Sequence, residues 1–359
     1  MLRTLQEQDR APTPYEQVQL SRWSSWGAVP GVFDEQDARY EQERAAIRPL
    51  LSDDGWDAAA RTTINAHYTQ PSYAAAMWTT LTDLGFTGGT VLEPGCGAGT
   101  FIGLAPASAR MIGVELDPTT AAIAAQLYPA AQVRAESFAD TRLQQQVDAV
   151  IGNVPFAQVK LHDRAYNPAN LSMHNHFIVK SLALTKPGGI VAVLTSRFTL
   201  DAQNPAARRE IAALGDLVGA VRLPTGAHSR TAGTSVVTDL LVLRRRSGPP
   251  PQDAPAWERS EQVVLDGEQV RVNRYFLDHP DQVLGTLSVA TGQYASADLV
   301  VTSASPGAVT GDLTAALARV VARARADDLT YATTPAGPLV VQPAARVGAD
   351  WAPPGISEP

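Results

Sequence analysis

Between Thr90 and Arg246 short β-rich runs alternate with amphipathic ones. Residues 90–93, 111–115, 131–134, 147–152, 190–194, 217–221 and 236–243 read as strands, with helical stretches such as 118–127 and 174–184 between them. That alternation predicts an α/β fold, a largely parallel sheet with helices on both faces. Just upstream, Ala74, Met77, Trp78, Leu81 and Leu84 recur at helical spacing. They predict a helix over 71–84, started by Pro71 and stopped by Gly85. The last two strand runs have no helix between them, since 223–234 carries Pro, Gly, His and Arg. They are expected to pair as an antiparallel hairpin at the sheet edge, completing seven strands. On either side the pattern weakens. Residues 1–60 are polar, with Trp23, Trp26 and Trp56 as isolated anchors and a weak helical segment at 45–51, and read as an irregular N-terminal arm packed on the domain at 61–246. Residues 247–256, with Pro249, Pro250, Pro251 and Pro255, read as a linker. Residues 257–359 hold a short strand around 261–272, a helix over 312–326 and a Pro/Gly-rich tail, a C-terminal extension suited to docking a partner.

Composition narrows the class. Hydrophobic residues make up 45% and charged residues 18%, which is globular rather than disordered. No apolar run approaches the roughly 20 residues of a membrane span. Residues 1–14 lack a signal-type apolar core. A cytoplasmic protein without membrane association is expected. One cysteine, Cys96, excludes an internal disulfide and a cysteine-based zinc cluster. The net charge of -7 argues against holding nucleic acid by bulk charge. The charge is uneven, however. Residues 134–246 carry 14 basic against 8 acidic residues (+6), whereas 247–359 carry 7 against 13 (-6).

The strongest chemical motif is Val91-Leu92-Glu93-Pro94-Gly95-Cys96-Gly97-Ala98-Gly99, a strand entering a glycine-rich turn. Missing Cβ atoms let backbone approach a ligand closely, and Glu93 at the strand end can accept hydrogen bonds from a cationic amino group. The glycine spacing differs from the dinucleotide fingerprint G-x-G-x-x-G. The next strand ends at Glu115, 20 residues after Gly95, followed by Leu116. An acid there can accept both ribose hydroxyls of an adenosine. The third strand leads to Glu136-Ser137-Phe138, where Ser137 can meet an adenine edge and Phe138 its face. The fourth delivers Asn153-Val154-Pro155-Phe156, which resembles the Asn-Pro-Pro-aromatic signature of enzymes that methylate a planar, conjugated amino nitrogen. Such a nitrogen is a poor nucleophile because its lone pair is delocalised into the ring. The Asn153 side-chain oxygen and the Val154 carbonyl can accept its two N–H bonds, turning the lone pair out of plane, while Phe156 stacks a flipped base. His174 and His176 have no cysteine or carboxylate at ligand spacing, so they read as pocket or helix-start residues rather than metal ligands.

Upstream, His67-Tyr68-Thr69-Gln70-Pro71 resembles the Y-T-P segment that closes over the methionine end of S-adenosylmethionine in the same enzymes. Taken in order, these motifs over about residues 65–245 resemble the gamma-arrangement N6-adenine DNA methyltransferases. The continuation 187–197 with 218–224 is similar to methyltransferase modules that accompany helicases in phage antirestriction and bacterial defence. The resemblance implies a class I, Rossmann-like methyltransferase sheet, S-adenosyl-L-methionine as cofactor, and adenine in DNA as acceptor. It further implies a helicase or other defence-system subunit as partner and a restriction-modification setting. Tyr68, Thr69, Glu93, Pro94, Gly95, Gly97, Glu115, Leu116, Ser137 and Phe138 are then cofactor-binding. Asn153, Val154, Pro155 and Phe156 are catalytic. Two alternatives stay open: methylation of RNA or a protein glutamine, and a cofactor-binding or DNA-recognition subunit active only in a larger complex.

Overall fold

Where an irregular arm is expected, the computed structural model, which describes residues 1–63, 69–157, 159–227, 236–291 and 297–333, has four α-helices and short 3-10 turns. They are α1 (Leu2–Glu7), α2 (Pro14–Ser21), α3 (Glu41–Ile47) and α4 (Asp53–Thr62). The cause is local. Thr13 and Glu16 form a reciprocal capping box around Pro14, and Ser52 accepts from the Gly55 N–H to cap α4. Leu5 of α1 and Leu20 of α2 are buried against Ile123.

Helix α5 (Pro71–Asp83) starts at its proline as expected. It ends in a Schellman motif: Gly85 takes φ +105°, its N–H reaches the Thr82 carbonyl, and the Phe86 N–H reaches that of Leu81. The sheet follows: β1 (Gly89–Pro94), α6 (Thr100–Gly103), β2 (Ala109–Glu115), α7 (Pro118–Leu127), β3 (Gln132–Ala135), β4 (Val147–Asn153), α8 (Met173–Leu184), β5 (Thr185–Ser196), α9 (Phe198–Asp201), α10 (Ala206–Leu214), β6 (Gly215–Arg222) and β7 (Thr238–Arg245). The spatial order is β3-β2-β1-β4-β5-β7-β6, parallel from β3 to β5, with β7 antiparallel to both neighbours. This is the expected seven-stranded, mostly parallel sheet. Its last strand inserts between β5 and β6, which leaves β6 at the edge.

The central strands are buried on both faces, and their alternation splits them between two cores. Ala149, Ile151, Ile190, Ala192, Leu240 and Val242 face one, while Val150, Val191, Val193, Leu241 and Leu243 face the other. Because β2 and β3 lie on one side of β1 and β4 on the other, strand order reverses between β1 and β4. A crevice opens at the carboxyl ends at such a point.

Residues 247–255 have no regular element and are mostly exposed, and a single 3-10 turn, Ala256–Glu258, follows. The single strand expected around 261–272 is a hairpin, β8 (Ser260–Leu265) and β9 (Glu268–Asn273). Asp266 and Gly267 make its two-residue turn at φ +53° and +84°, an Asp-Gly signal that sequence reading passed over. Then come α11 (Arg274–Asp278), the antiparallel pair β10 (Thr286–Thr291) and β11 (Ala297–Thr302), and α12 (Val309–Ala326). The expected helix is there, but it belongs to the core. Leu313, Ala316, Leu317, Val320, Val321 and Ala324 join the same cluster as α5. Gly219 permits the close approach, since a Cβ there would lie 2.7 Å from Val320 Cγ1. Arg222, fully buried, joins the extension to the sheet. It holds Asp239 through two 2.8 Å bonds, reaches Asp201 at 3.0 Å, lies over the Phe276 ring and accepts from the Leu284 N–H through its carbonyl. No helix among the described residues is long and apolar enough to cross a membrane.

Candidate active site

The crevice at the β1/β4 reversal is a cavity, and its first wall is the turn after β1. The Gly95 and Cys96 N–H groups both reach the Val114 carbonyl, at 2.8 and 3.0 Å, folding the turn onto β2. Two glycines are required there for different reasons. Gly99, at φ +88°, lies so close to Tyr128 that a Cβ would stand 2.6 Å from its ring, which is helix–turn packing. Gly97, at φ +54°, has nothing within 4 Å of where its Cβ would be; that missing side chain leaves open space in the cavity wall.

Two carboxylates line the same wall. Glu93 is 2% exposed, and its Oε2 has no hydrogen-bond partner among the described residues. Burial pushes its carboxyl well above the usual range against the pull of the Ile102 and Phe101 N–H groups, and the neighbouring Glu115 adds to the rise. Glu115 accepts from Gly97 N at 3.0 Å and Asp117 N at 2.9 Å, one to each oxygen, and burial raises it too. An oxygen with one bond made retains a second acceptor position. Leu116, Ser137 and Phe138 complete this side, with Phe138 packed 4.7 Å from Phe177.

On the other side Asn153 ends β4, paired with Leu194 of β5. Asn153 and Pro155 line the cavity, and they adjoin the glycine turn. A Cβ at Gly95 would lie 3.7 Å from Pro155 Cδ and 4.0 Å from the Asn153 carbonyl oxygen. Val154 donates its N–H to Leu194 and buries its side chain in the second core, outside the cavity lining. Phe156 packs half-buried against that core and is not among the residues that line the cavity. Pro94 is likewise absent from the lining. Thr69 lines it, and Tyr68 lies outside the described residues.

Several contributors had no signal in the sequence reading. Ser25, from the N-terminal arm, lines the cavity, as do Leu161, Met173 and Phe177 from the 157–177 region. Behind them lies a buried charged cluster. Lys180 of α8 donates to the carbonyls of Phe138 (2.6 Å) and Ala139 (3.0 Å) and to Asp163 Oδ2 (2.8 Å), and His176 meets the same carboxylate at 3.2 Å. Burial lowers Lys180 to about 8, opposed by Asp163. Burial pushes Asp163 upward, but the bonds from His176 and Lys180 prevail and hold it below the usual range. His174, at the start of α8, bonds Ser172 and the Ala157 backbone just past Phe156, and burial depresses it to about 4. Both histidines thus brace loops. Among the described residues no three His, Cys, Asp or Glu side chains are grouped to hold a metal ion.

No protein-family model and no curated protein matches the chain. Among solved structures it is similar to a protein assigned as a class I S-adenosylmethionine-dependent methyltransferase from Listeria monocytogenes, at 16% identity and TM-score 0.44, over 64% of this chain and 82% of that one. A second is an assigned type I restriction enzyme modification subunit from Vibrio vulnificus, at 19% identity and TM-score 0.43, over 58% of this chain and 48% of that one. A third is a type I restriction-modification methyltransferase subunit from Streptococcus thermophilus, at 14% identity and TM-score 0.42, over 81% and 67%. The chain thus spans about half of the Vibrio subunit. At these scores the likeness assigns neither substrate nor reaction.

Proposed function

We propose that the chain is an S-adenosylmethionine-dependent methyltransferase whose acceptor is a conjugated amine, read most specifically as N6 of an adenine flipped out of DNA. One observation carries the reading: a buried carboxylate oxygen, Glu93 Oε2, with no partner among the described residues shares a cavity with the bare face of Gly97 and with Asn153. A buried acceptor left unpaired is costly unless a ligand donor meets it.

The residues present fit the cofactor. Glu93 would hold its ammonium group, Glu115 its ribose hydroxyls through the acceptor positions not used by Gly97 and Asp117, and Ser137 and Phe138 its adenine. Thr69 lines the same cavity, and Tyr68 is assigned with it from the motif alone. When bound, S-adenosylmethionine supplies a methyl group on a sulfonium centre. Asn153 accepts an N–H of the incoming amine through its side-chain oxygen, and the Val154 carbonyl accepts the other, so the lone pair points out of the plane. No strong base is required, since the nitrogen becomes acidic as its new bond forms and its proton can pass to water. Pro155 stiffens the turn that presents both acceptors. Phe156, the next residue, is assigned the stacking of the base from the motif alone, since it does not line the cavity. The basic balance of 134–246 favours a nucleic-acid acceptor, and the acidic remainder leaves most of the duplex grip to a partner subunit such as a helicase.

The test is transfer of tritiated methyl from S-adenosylmethionine to DNA, RNA and protein substrates, followed by nucleoside analysis. Label recovered as N6-methyldeoxyadenosine supports the reading. Label confined to RNA or to glutamine rejects the adenine assignment, and no transfer with or without a partner subunit rejects the enzyme.

A further inference from the structure

The N-terminal arm meets the cavity at its Glu115 end. Ser25 lines the cavity, and its neighbour Trp26, buried, donates its indole N–H to Asp117 Oδ2 at 3.1 Å, two residues past Glu115. Asp117 is fully buried and also caps α7 through Thr120 N, so one carboxylate fixes both the helix start and the arm. Trp23 adds a second indole bond, to Thr120 Oγ1 at 2.9 Å. An aromatic relay continues outward, with Trp23–Trp26 at 4.7 Å, Trp26–Phe33 at 5.3 Å and Phe33–Trp56 at 4.7 Å, so the contact at Asp117 is tied through to α4. Ser25 itself stands at φ +62°, ψ 169°, a region that residues with a side chain avoid unless surrounding contacts impose it.

From this we infer that residues 23–33 form a strap completing the ribose side of the cofactor cavity, so that strap docking and cofactor occupancy favour each other. The inference rests on the cofactor reading above. It adds Ser25 as a wall residue and Trp26 as the positioning residue that holds it there. Coupling of this kind is reciprocal: whatever affinity the docked strap adds, the bound ligand returns as protection of the strap.

The product S-adenosylhomocysteine tests this without any methyl transfer. In the intact, unmutated chain, hydrogen exchange of the amides at 23–33 should slow by about tenfold at saturating S-adenosylhomocysteine, with the β8–β9 hairpin as an unaffected control. Trp26→Leu should weaken S-adenosylhomocysteine by about tenfold in calorimetry and abolish that protection. Unchanged exchange at 23–33 in a chain shown by calorimetry to be saturated would overturn the strap while leaving the cavity assignment standing. Failure of the intact chain to bind S-adenosylhomocysteine at all would overturn the cavity assignment and the strap with it.

Discussion

On the β1–β2 side of the cavity the wall is made of backbone and two carboxylates. The turn after Glu93 is pinned by N–H bonds to Val114, and Glu115 is pinned by Gly97 and Asp117. On the β4–β5 side the short Asn153–Phe156 segment is held from behind by side chains: His174 at Ala157, and Asp163, His176 and Lys180 beneath the loop. The first half is preformed by chain geometry, and the second depends on a buried charged cluster. Lys180 is the joint between them, because its other two bonds go to the carbonyls of Phe138 and Ala139, beyond the end of β3. On the proposed function, recognition of the cofactor sits on rigid strand ends, and presentation of the acceptor sits on a braced loop.

The largest expected effect breaks that joint. Asp163→Ala strands the Lys180 charge in the interior and should cost about 3–5 kcal/mol of folding stability, read from urea unfolding midpoints. Adding Lys180→Met to Asp163→Ala should recover much of the loss. A single variant within about 1 kcal/mol of wild type would show that the cluster does not hold the halves together.

Acid sharpens the contrast next. His174 is neutral when folded, at about 4, against 6.5 unfolded, so the unfolded chain binds more protons between those values. Stability contributed by this group is complete above pH 6.5 and is lost as pH falls towards 4, by roughly 3 kcal/mol in all. His174→Gln should remove that part of the acid slope. An identical slope in the variant would contradict the bracing role.

The strand-end residues that line the cavity could be read directly from the chain, because strand-end chemistry is local. A strand running into Gly95–Gly99, an acid at Glu115 after the next strand, and Asn153 after the fourth are short segments whose position at a carboxyl edge follows from the alternation of elements. Ser25 offered no such signal: it reaches the cavity through contacts of Trp26 and Trp23 with α7, far along the chain. The Asp163–Lys180 cluster was hidden for a related reason. Charged residues beside an apolar helix ordinarily face solvent, and only the loop 157–172 folding back over α8 turns them inward. Helix α12 was recognisable by its period, but its placement on Gly219 and α5 depends on tertiary packing that no local pattern specifies.

Glu115→Ala should weaken S-adenosylmethionine and S-adenosylhomocysteine equally, by about 2 kcal/mol, since both carry the same ribose and lose hydrogen bonds to a charged acceptor. Calorimetry showing unchanged affinity would remove Glu115 from the cofactor half. A smaller effect concerns Glu93, whose carboxyl burial raises well above the usual range. A ligand ammonium placed on its open oxygen favours the charged form, so binding should release protons near neutral pH. Binding enthalpy should then vary with the ionisation enthalpy of the buffer in the wild type and cease to vary in Glu93→Gln. Equal buffer dependence in both proteins would place the ammonium elsewhere.

The division of labour between the halves is tested most directly by Asn153→Ala, measured in parallel by S-adenosylhomocysteine calorimetry and by single-turnover methyl transfer to the acceptor identified in the tritium assay. The account predicts cofactor affinity close to wild type with transfer abolished, since Asn153 serves the amine. Transfer at near-normal rate, or loss of cofactor affinity in step with transfer, would contradict it.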